Sequence, residues 1–374
     1  MKITAVRCFE LEGPLRSGLA LYETERGGLA PNQATPHRAT FTQIETNDGI
    51  SGLTLGGSAA VKALGQTLLG EDPLAFERLW DKLYTGTYYR MEKLHSLSVL
   101  DMALWDLSGK ARNAPVYRLL GGPCQERIPA YAAMLGFSTE PERAALASRE
   151  WVAKGFHGVK WYLPDNASAG LDGLRRSVAL IAAVRAAVGD ETDIMVDCLL
   201  SGPTENSLLY AIKLARALEP YHPTWLEEPL NFDDQPAHER LARATRIPLA
   251  FGEHWYGRWQ IKQLLDSGAA TVLQPEPMAA GGLTEMLKII ALAATYGVPV
   301  IPHANESCRH ALHLLFAHPA RVCPMAEWGI RINHNAQFFY TDLYQPVDGY
   351  FTLPPGPGFG YALDEAKIVR RREL

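Results

Sequence analysis

From Ile128 to Trp328 the chain repeats one pattern: a short apolar run that ends on a polar side chain, then a stretch with helical periodicity. The runs end near Tyr131, Tyr162, Asp197, Glu227, Glu253, Glu276, His303 and Glu327. Short apolar runs between helical stretches read as buried parallel strands. The helical stretches include Leu171–Val188, Glu205–Leu218, Arg258–Asp266, Leu283–Tyr296 and Ser307–Ala317, and Gly189, Gly268 and Gly297 stand where a left-handed cap closes a helix. Eight strands with about seven intervening helices predict an α/β fold of the TIM-barrel kind. An open doubly wound sheet fits less well, because no G-x-G-x-x-G follows a strand and polar residues end nearly every strand.

In such a barrel the chemistry lies at the rim formed by the strand ends. The rim here reads Lys160 and Tyr162, Asp197, Glu227 with Glu228, Glu253 and His254, Glu276, His303 and Glu327. Any one of these alone is a solvated or capping residue; together they define a site. Asp197, Glu227 and Glu253 end three successive strands, and three converging carboxylates resist ionising together unless a hard cation such as Mg²⁺ lies between them. Glu228 should point away from the site or into the following loop, which leaves the ligand role to Glu227. Lys160 and Tyr162 alternate with Val159 and Trp161, so both face one way. The lysine suits a substrate carboxylate, and the tyrosine trades a proton if its pKa is lowered. His303 is suited to proton transfer because the unperturbed pKa of histidine lies near neutrality, and Glu276 is placed to hold its imidazole. His310 and His313 are read as a wetted helix face, and Gly281-Gly282 as a tight strand-to-helix turn.

Ahead of the barrel, residues 1–124 read as an α+β domain. Lys2–Leu11, Ala39–Glu45 and Ile50–Leu55 are strand candidates, with Asn47-Asp48-Gly49 as a turn. Residues 12–37 are rich in Gly, Pro and polar side chains and read as a lid loop, from which Tyr22, Arg26 and His37 reach the substrate. SVLDMALWDLSGKARN is an amphipathic helix by its leucine spacing, with Asp101 and Asp106 structural. The turn at Gly121-Gly122-Pro123 marks the boundary; residues 125–345 form the barrel and residues 346–374 return to the first domain.

Composition excludes several classes. A net charge of −5, with Arg370–Arg372 as the sole basic run, argues against a nucleic-acid surface. No apolar stretch reaches the roughly 18 residues of a membrane span, and MKITAVRCFELEG lacks the apolar centre of a signal peptide. Five cysteines without C-x-x-C spacing point to a reducing cytoplasm rather than a disulfide framework or a zinc site.

The order K-x-Y (Lys160, Tyr162), D (Asp197), EEP (Glu227–Pro229), GEH (Gly252–His254), QPE with a following GG (Gln274–Glu276, Gly281-Gly282), PH (Pro302-His303) and a last Glu (Glu327) resembles the mandelate racemase subgroup of the enolase superfamily. The resemblance covers nearly the whole chain, including LWDLSGKARNAPVYRLLGG at the domain junction. It implies a modified (β/α)₇β barrel under an α+β capping domain, and a Mg²⁺ held by Asp197, Glu227 and Glu253. It also implies abstraction of the proton alpha to a substrate carboxylate by His303 backed by Glu276, with Glu327 bonded to that carboxylate. His254, Lys160, Glu327 and His37 are then the substrate contacts, and a homo-oligomer is expected.

Two departures carry information. Many members have K-x-K where this chain has Lys160 and Tyr162, so the base on the opposite face is replaced. The acid of the dyad is usually Asp, and here it is Glu276. No lysine lies near Glu276–Gly281, which disfavours the lactonising and dipeptide-epimerising branches. The surroundings of Asp197, Glu253-His254 and Pro302-His303 are most similar to sugar-acid dehydratases of the rhamnonate type. The expected activity is Mg²⁺-dependent dehydration of an aldonate or aldarate to a 2-keto-3-deoxy acid. The rivals are epimerisation with Tyr162 and His303 on opposite faces, and a non-catalytic sugar-acid binder.

Overall fold

The computed structural model describes residues 1–16, 35–88, 94–198, 207–304 and 308–374. Three antiparallel strands open the chain: β1 (Ile3–Arg16), β2 (Thr35–Thr46) and β3 (Ser51–Leu55). The β2–β3 turn uses Gly49 at φ +76°, where only glycine is unstrained. The loop expected over residues 12–37 is shorter at both ends: β1 continues past Glu12, which pairs with Arg38 of β2, and strand residues take His37 as well. Hydrogen-bonded pairing competes successfully with the Gly/Pro-rich composition there. Tyr22 and Arg26 lie outside the described residues.

The barrel strands are β4 (Arg127–Ala133), β5 (Gly158–Tyr162), β6 (Asp193–Asp197), β7 (Trp225–Glu227), β8 (Leu249–Phe251), β9 (Val272–Leu273) and β10 (Ala326–Gly329). They pair in parallel in the order β10-β4-β5-β6-β7-β8-β9. The eighth position is a single parallel bridge, Leu273 to Val300, with the Ile301 N–H donating to the Leu273 carbonyl at 2.8 Å. Toward β10 the contact is made by a side chain: the Ala304 N–H donates to the Glu327 carboxylate at 2.9 Å. Alternation divides each strand. Tyr131, Tyr162, Met195, Trp225, Ala250, Val272 and Ile301 fill the barrel interior, while Trp161, Val196, Leu226 and Phe251 join the layer under the helices. Each such fully buried side chain contributes about 1.5–3 kcal/mol. Helices occupy Gly170–Val188, Leu208–Leu218, Gly257–Asp266, Gly282–Tyr296 and Cys308–Ala317, close to the reading from periodicity. After the barrel, β11 (Tyr350–Thr352) pairs with β4, and β12 (Arg370–Glu373) pairs with β1, giving the first sheet the order β12-β1-β2-β3.

Two expectations about helix faces are corrected. The helix His95–Ala111 is buried all round from Ser96 to Gly109, not amphipathic, because it is covered on several sides. Asp106 accepts the Leu53 N–H from β3 and the Phe359 N–H at 2.8 and 2.9 Å. Asp101 accepts the Thr284 N–H and hydroxyl at 3.0 and 2.6 Å, at the start of helix Gly282–Tyr296. Both acids are structural. His310 and His313 are likewise buried rather than wetted. His310 Nε2 lies 3.1 Å from Thr54 Oγ1 and 3.2 Å from the Tyr361 hydroxyl, and His313 Nδ1 accepts the Tyr117 N–H at 3.0 Å. Burial, with the nearby Arg309 charge, pushes both imidazoles down to about 3. They are neutral docking residues between the first domain and the barrel.

Candidate active site

Strand register sets the floor of the site. Tyr162 pairs with Asp197, and Asp197 with Glu227, so the ends of β5, β6 and β7 form one layer. One layer deeper, Lys160 is fully buried. Its Nζ lies 2.7 Å from Glu227 Oε1, 2.7 Å from Glu327 Oε1 and 3.5 Å from Asp197 Oδ2. Burial works against the ammonium, but Glu227 and Glu327 outweigh it and hold its pKa well above the usual lysine value. Burial would likewise raise Glu227, and Lys160 together with a bond from Trp225 brings it below the usual range. The second oxygen of Glu227 accepts Trp225 Nε1 and Gln274 Nε2, both at 3.0 Å. Neither residue was found from the sequence, although Trp225 stands two before Glu227 on one strand face.

A second group gathers around Glu253. One ligand atom from each of Glu228, Glu253 and His254 falls within 4.8 Å of the others. Glu253 belongs also to the expected trio of Asp197, Glu227 and Glu253, whose other two members lie beside Lys160. This group also brings in Glu228, which was expected to point away from the site or into the following loop. The cause is local: β7 ends at Glu227, and Glu228 turns left-handed at φ +42°, so alternation stops. Glu228 Oε2 lies 3.3 Å from His254 Nε2, while its Oε1 is buried with no hydrogen-bond partner. Burial, then the charges of Glu253, Asp197 and Glu227, push its pKa well up.

His303 links the two groups. Its Nδ1 lies 2.9 Å from Glu276 Oε2, and its Nε2 lies 3.6 Å from Glu253 Oε2. Burial opposes a charged ring, but Glu253, Glu327 and Glu276 hold the imidazole pKa well above its usual value. Tyr162 is the reverse of a lowered phenol: burial, then the carboxylates of Glu327, Asp197 and Glu227, raise it well above 10 despite Lys160. Burial, and then Glu327, raise the phenol of the buried Tyr131 in the same way. His37 sits on β2 with its ring 4.5 and 5.3 Å from Phe338 and Phe339 and is not among the residues that these contacts gather.

The donor set fits a hard divalent cation. Asp197, Glu227, Glu228 and Glu253 offer carboxylate oxygens from adjacent strand ends, one of them buried without a partner. Beside that set stands an imidazole–carboxylate dyad at the mouth of a parallel barrel. This is the arrangement of an enzyme site at a strand-end rim.

Comparison with known proteins agrees. Residues 142–367 match the enolase C-terminal domain-like family, and residues 29–121 match the mandelate racemase / muconate lactonizing enzyme N-terminal domain. The chain is 32% identical over 364 residues to D-galactonate dehydratase of Ralstonia nicotianae, covering 90% of this chain and 91% of that one. It is 34% identical over 352 residues to D-galactonate dehydratase of Variovorax paradoxus, covering 89% and 90%. The crystal structure of L-rhamnonate dehydratase from Gibberella zeae superposes with a TM-score of 0.81 at 31% identity, covering 98% and 94%. A structure of rhamnonate dehydratase from the same organism is a complex with Mg, at TM-score 0.81 and 30% identity, covering 98% and 96%. The chain belongs to the mandelate racemase / muconate lactonizing enzyme family of the enolase superfamily, and it is an enzyme of the hydro-lyase class. Among the described residues, no helix is long and apolar enough to cross a membrane.

Proposed function

We propose that the protein is a Mg²⁺-dependent dehydratase of an acid sugar, an aldonate or aldarate, that forms a 2-keto-3-deoxy acid. The observation that carries this reading is the 2.9 Å pairing of His303 Nδ1 with Glu276, in a chain that has Tyr162 where many relatives have the second lysine of K-x-K. Racemisation needs a competent proton carrier on each face of the alpha carbon. Dehydration needs only one, and His303 is the residue held for it. The dehydratase relatives support the same reaction class.

In this reading His303 takes the proton alpha to the substrate carboxylate, and the C–H electron pair passes into the carboxylate as an enediolate. Its collapse expels the beta-hydroxyl, which takes the proton from His303 and leaves as water. The resulting enol tautomerises to the keto acid. Glu276 orients the imidazole and balances its charge. Lys160 and Glu327 hold the carboxylate end of the site, and His254, steadied by Glu228, faces the substrate from the turn after β8. When bound, Mg²⁺ would supply Lewis-acid polarisation of the substrate carboxylate, with Asp197, Glu227 and Glu253 as its ligands and Glu228 adjacent.

A panel of acid sugars assayed for 2-keto-3-deoxy acid tests the reading, with His303→Asn as control. Turnover that survives in H303N would sink the dyad mechanism. Deuterium entering recovered substrate in D₂O without any keto acid would point to epimerisation instead. Mg²⁺ binding with no turnover across the panel would favour a binder.

A further inference from the structure

Lys160 and Tyr162 stand two residues apart on β5 and face the same way, with Tyr162 nearer the rim and in register with Asp197. An ammonium has three protons to donate. Around Lys160 there are three carboxylates, Glu227 and Glu327 at 2.7 Å and Asp197 at 3.5 Å. The lysine cannot meet a substrate oxygen without surrendering one of these pairs. Tyr162 is in the opposite position. It is 7% exposed, its ring centroid lies 5.4 Å from the Lys160 ammonium, and its hydroxyl is buried with no hydrogen-bond partner. Buried hydroxyls are almost always paired, so a ligand oxygen is the natural partner for this one. The charged groups nearest it are Lys160 and the acids Glu327, Asp197 and Glu227.

We propose that Tyr162 is a catalytic hydrogen-bond donor to the substrate carboxylate oxygen on which negative charge develops. A donor aimed at a developing oxyanion stabilises the transition state more than the ground state. His303 alone moves the alpha proton, and Tyr162 stabilises the charge left behind. The assignment rests on the dehydratase reading insofar as it requires a carboxylate substrate deprotonated at the alpha carbon.

Tyr162→Phe removes one oxygen atom and keeps the ring, so the barrel interior stays filled. In the Mg²⁺-loaded enzyme, Y162F should lower kcat on the order of 10²–10³-fold, with KM nearly unchanged and the pH profile unaltered in shape. Oxalate, a planar dianion resembling the enediolate, serves as a probe that needs no turnover. It should bind Y162F about tenfold more weakly than wild type, while glycolate binds both alike. Equal oxalate affinity in the two proteins, or none in either, overturns the assignment whatever the turnover. So does deuterium that enters the inverted alpha carbon with wild type and disappears with Y162F, because Tyr162 would then be a proton carrier. Loss of oxalate affinity in Y162F, with no keto acid from any acid sugar, upholds Tyr162 and fails only the dehydratase reading.

Discussion

Nδ1 of His303 lies 2.9 Å from one carboxylate oxygen of Glu276, and the other oxygen of Glu276 accepts the Met278 N–H at 2.9 Å. The acid is clamped to its own loop while it clamps the imidazole, which leaves Nε2 on the side of Glu253. The longer side chain of Glu, relative to the usual Asp, spans from the loop after β9 to the ring.

Glu276→Gln keeps the shape of that clamp and removes its charge. We expect kcat to fall roughly 10²–10⁴-fold with KM within a few-fold and an unchanged melting temperature. Steady-state kinetics on the best acid-sugar substrate measure this. A variant within threefold of wild type would show that Glu276 does not support the imidazole.

Gln274→Leu leaves the second oxygen of Glu227 with Trp225 as its one remaining donor among the bonds described. Groups that orient metal ligands typically contribute 10–100-fold to affinity. Calorimetric titration should therefore show Mg²⁺ binding weaker by about tenfold or more. Unchanged binding would mean that Glu227 is not a ligand, or is fixed without Gln274.

His310 and His313 make stability fall in acid. Their folded pKa values, about 3, lie below the unfolded value of about 6.5. Between those limits the unfolded chain binds the extra protons. The contribution is thus complete above pH 6.5 and is lost as pH falls toward 3. At pH 5 the loss is roughly 2 kcal/mol per histidine. His310→Gln keeps a polar tip for Thr54 and Tyr361 but does not titrate. Urea unfolding at pH 8 and pH 5 should show a smaller acid loss for H310Q by about that amount; equal losses would refute a neutral buried His310.

Gly282→Ala tests the turn at the start of its helix. Gly282 has φ +79°, and a Cβ there would lie 2.4 Å from Asp101 Oδ2. Backbone strain alone costs on the order of 1–3 kcal/mol, and the displaced Asp101 loses its bonds to Thr284. A clearly lower melting temperature is expected, and an unchanged one would remove Gly282 from the docking of the two domains.

Much of the site was legible because strand periodicity is local. Lys160 and Tyr162 do share a face, with Val159 and Trp161 on the other, and Asp197 and Glu227 end adjacent strands in register. Glu228 was left between two readings, away from the site or into the loop, because alternation holds only while the backbone stays extended, and its φ of +42° ends it. His310 and His313 were misread because a helix face is wet or dry according to what packs on it. Thr54 lies 256 residues from His310, beyond the reach of any local pattern.

The sequence by itself determined the alternation of strand and helix, and so which side chains stand at the rim. Only the tertiary structure decided their partners: Lys160 between Glu227 and Glu327, Gln274 on Glu227, and Tyr162 with its hydroxyl buried. Periodicity is set by backbone geometry within a few residues, whereas partnership across a barrel depends on strand tilt and register, which are settled when the sheet curls.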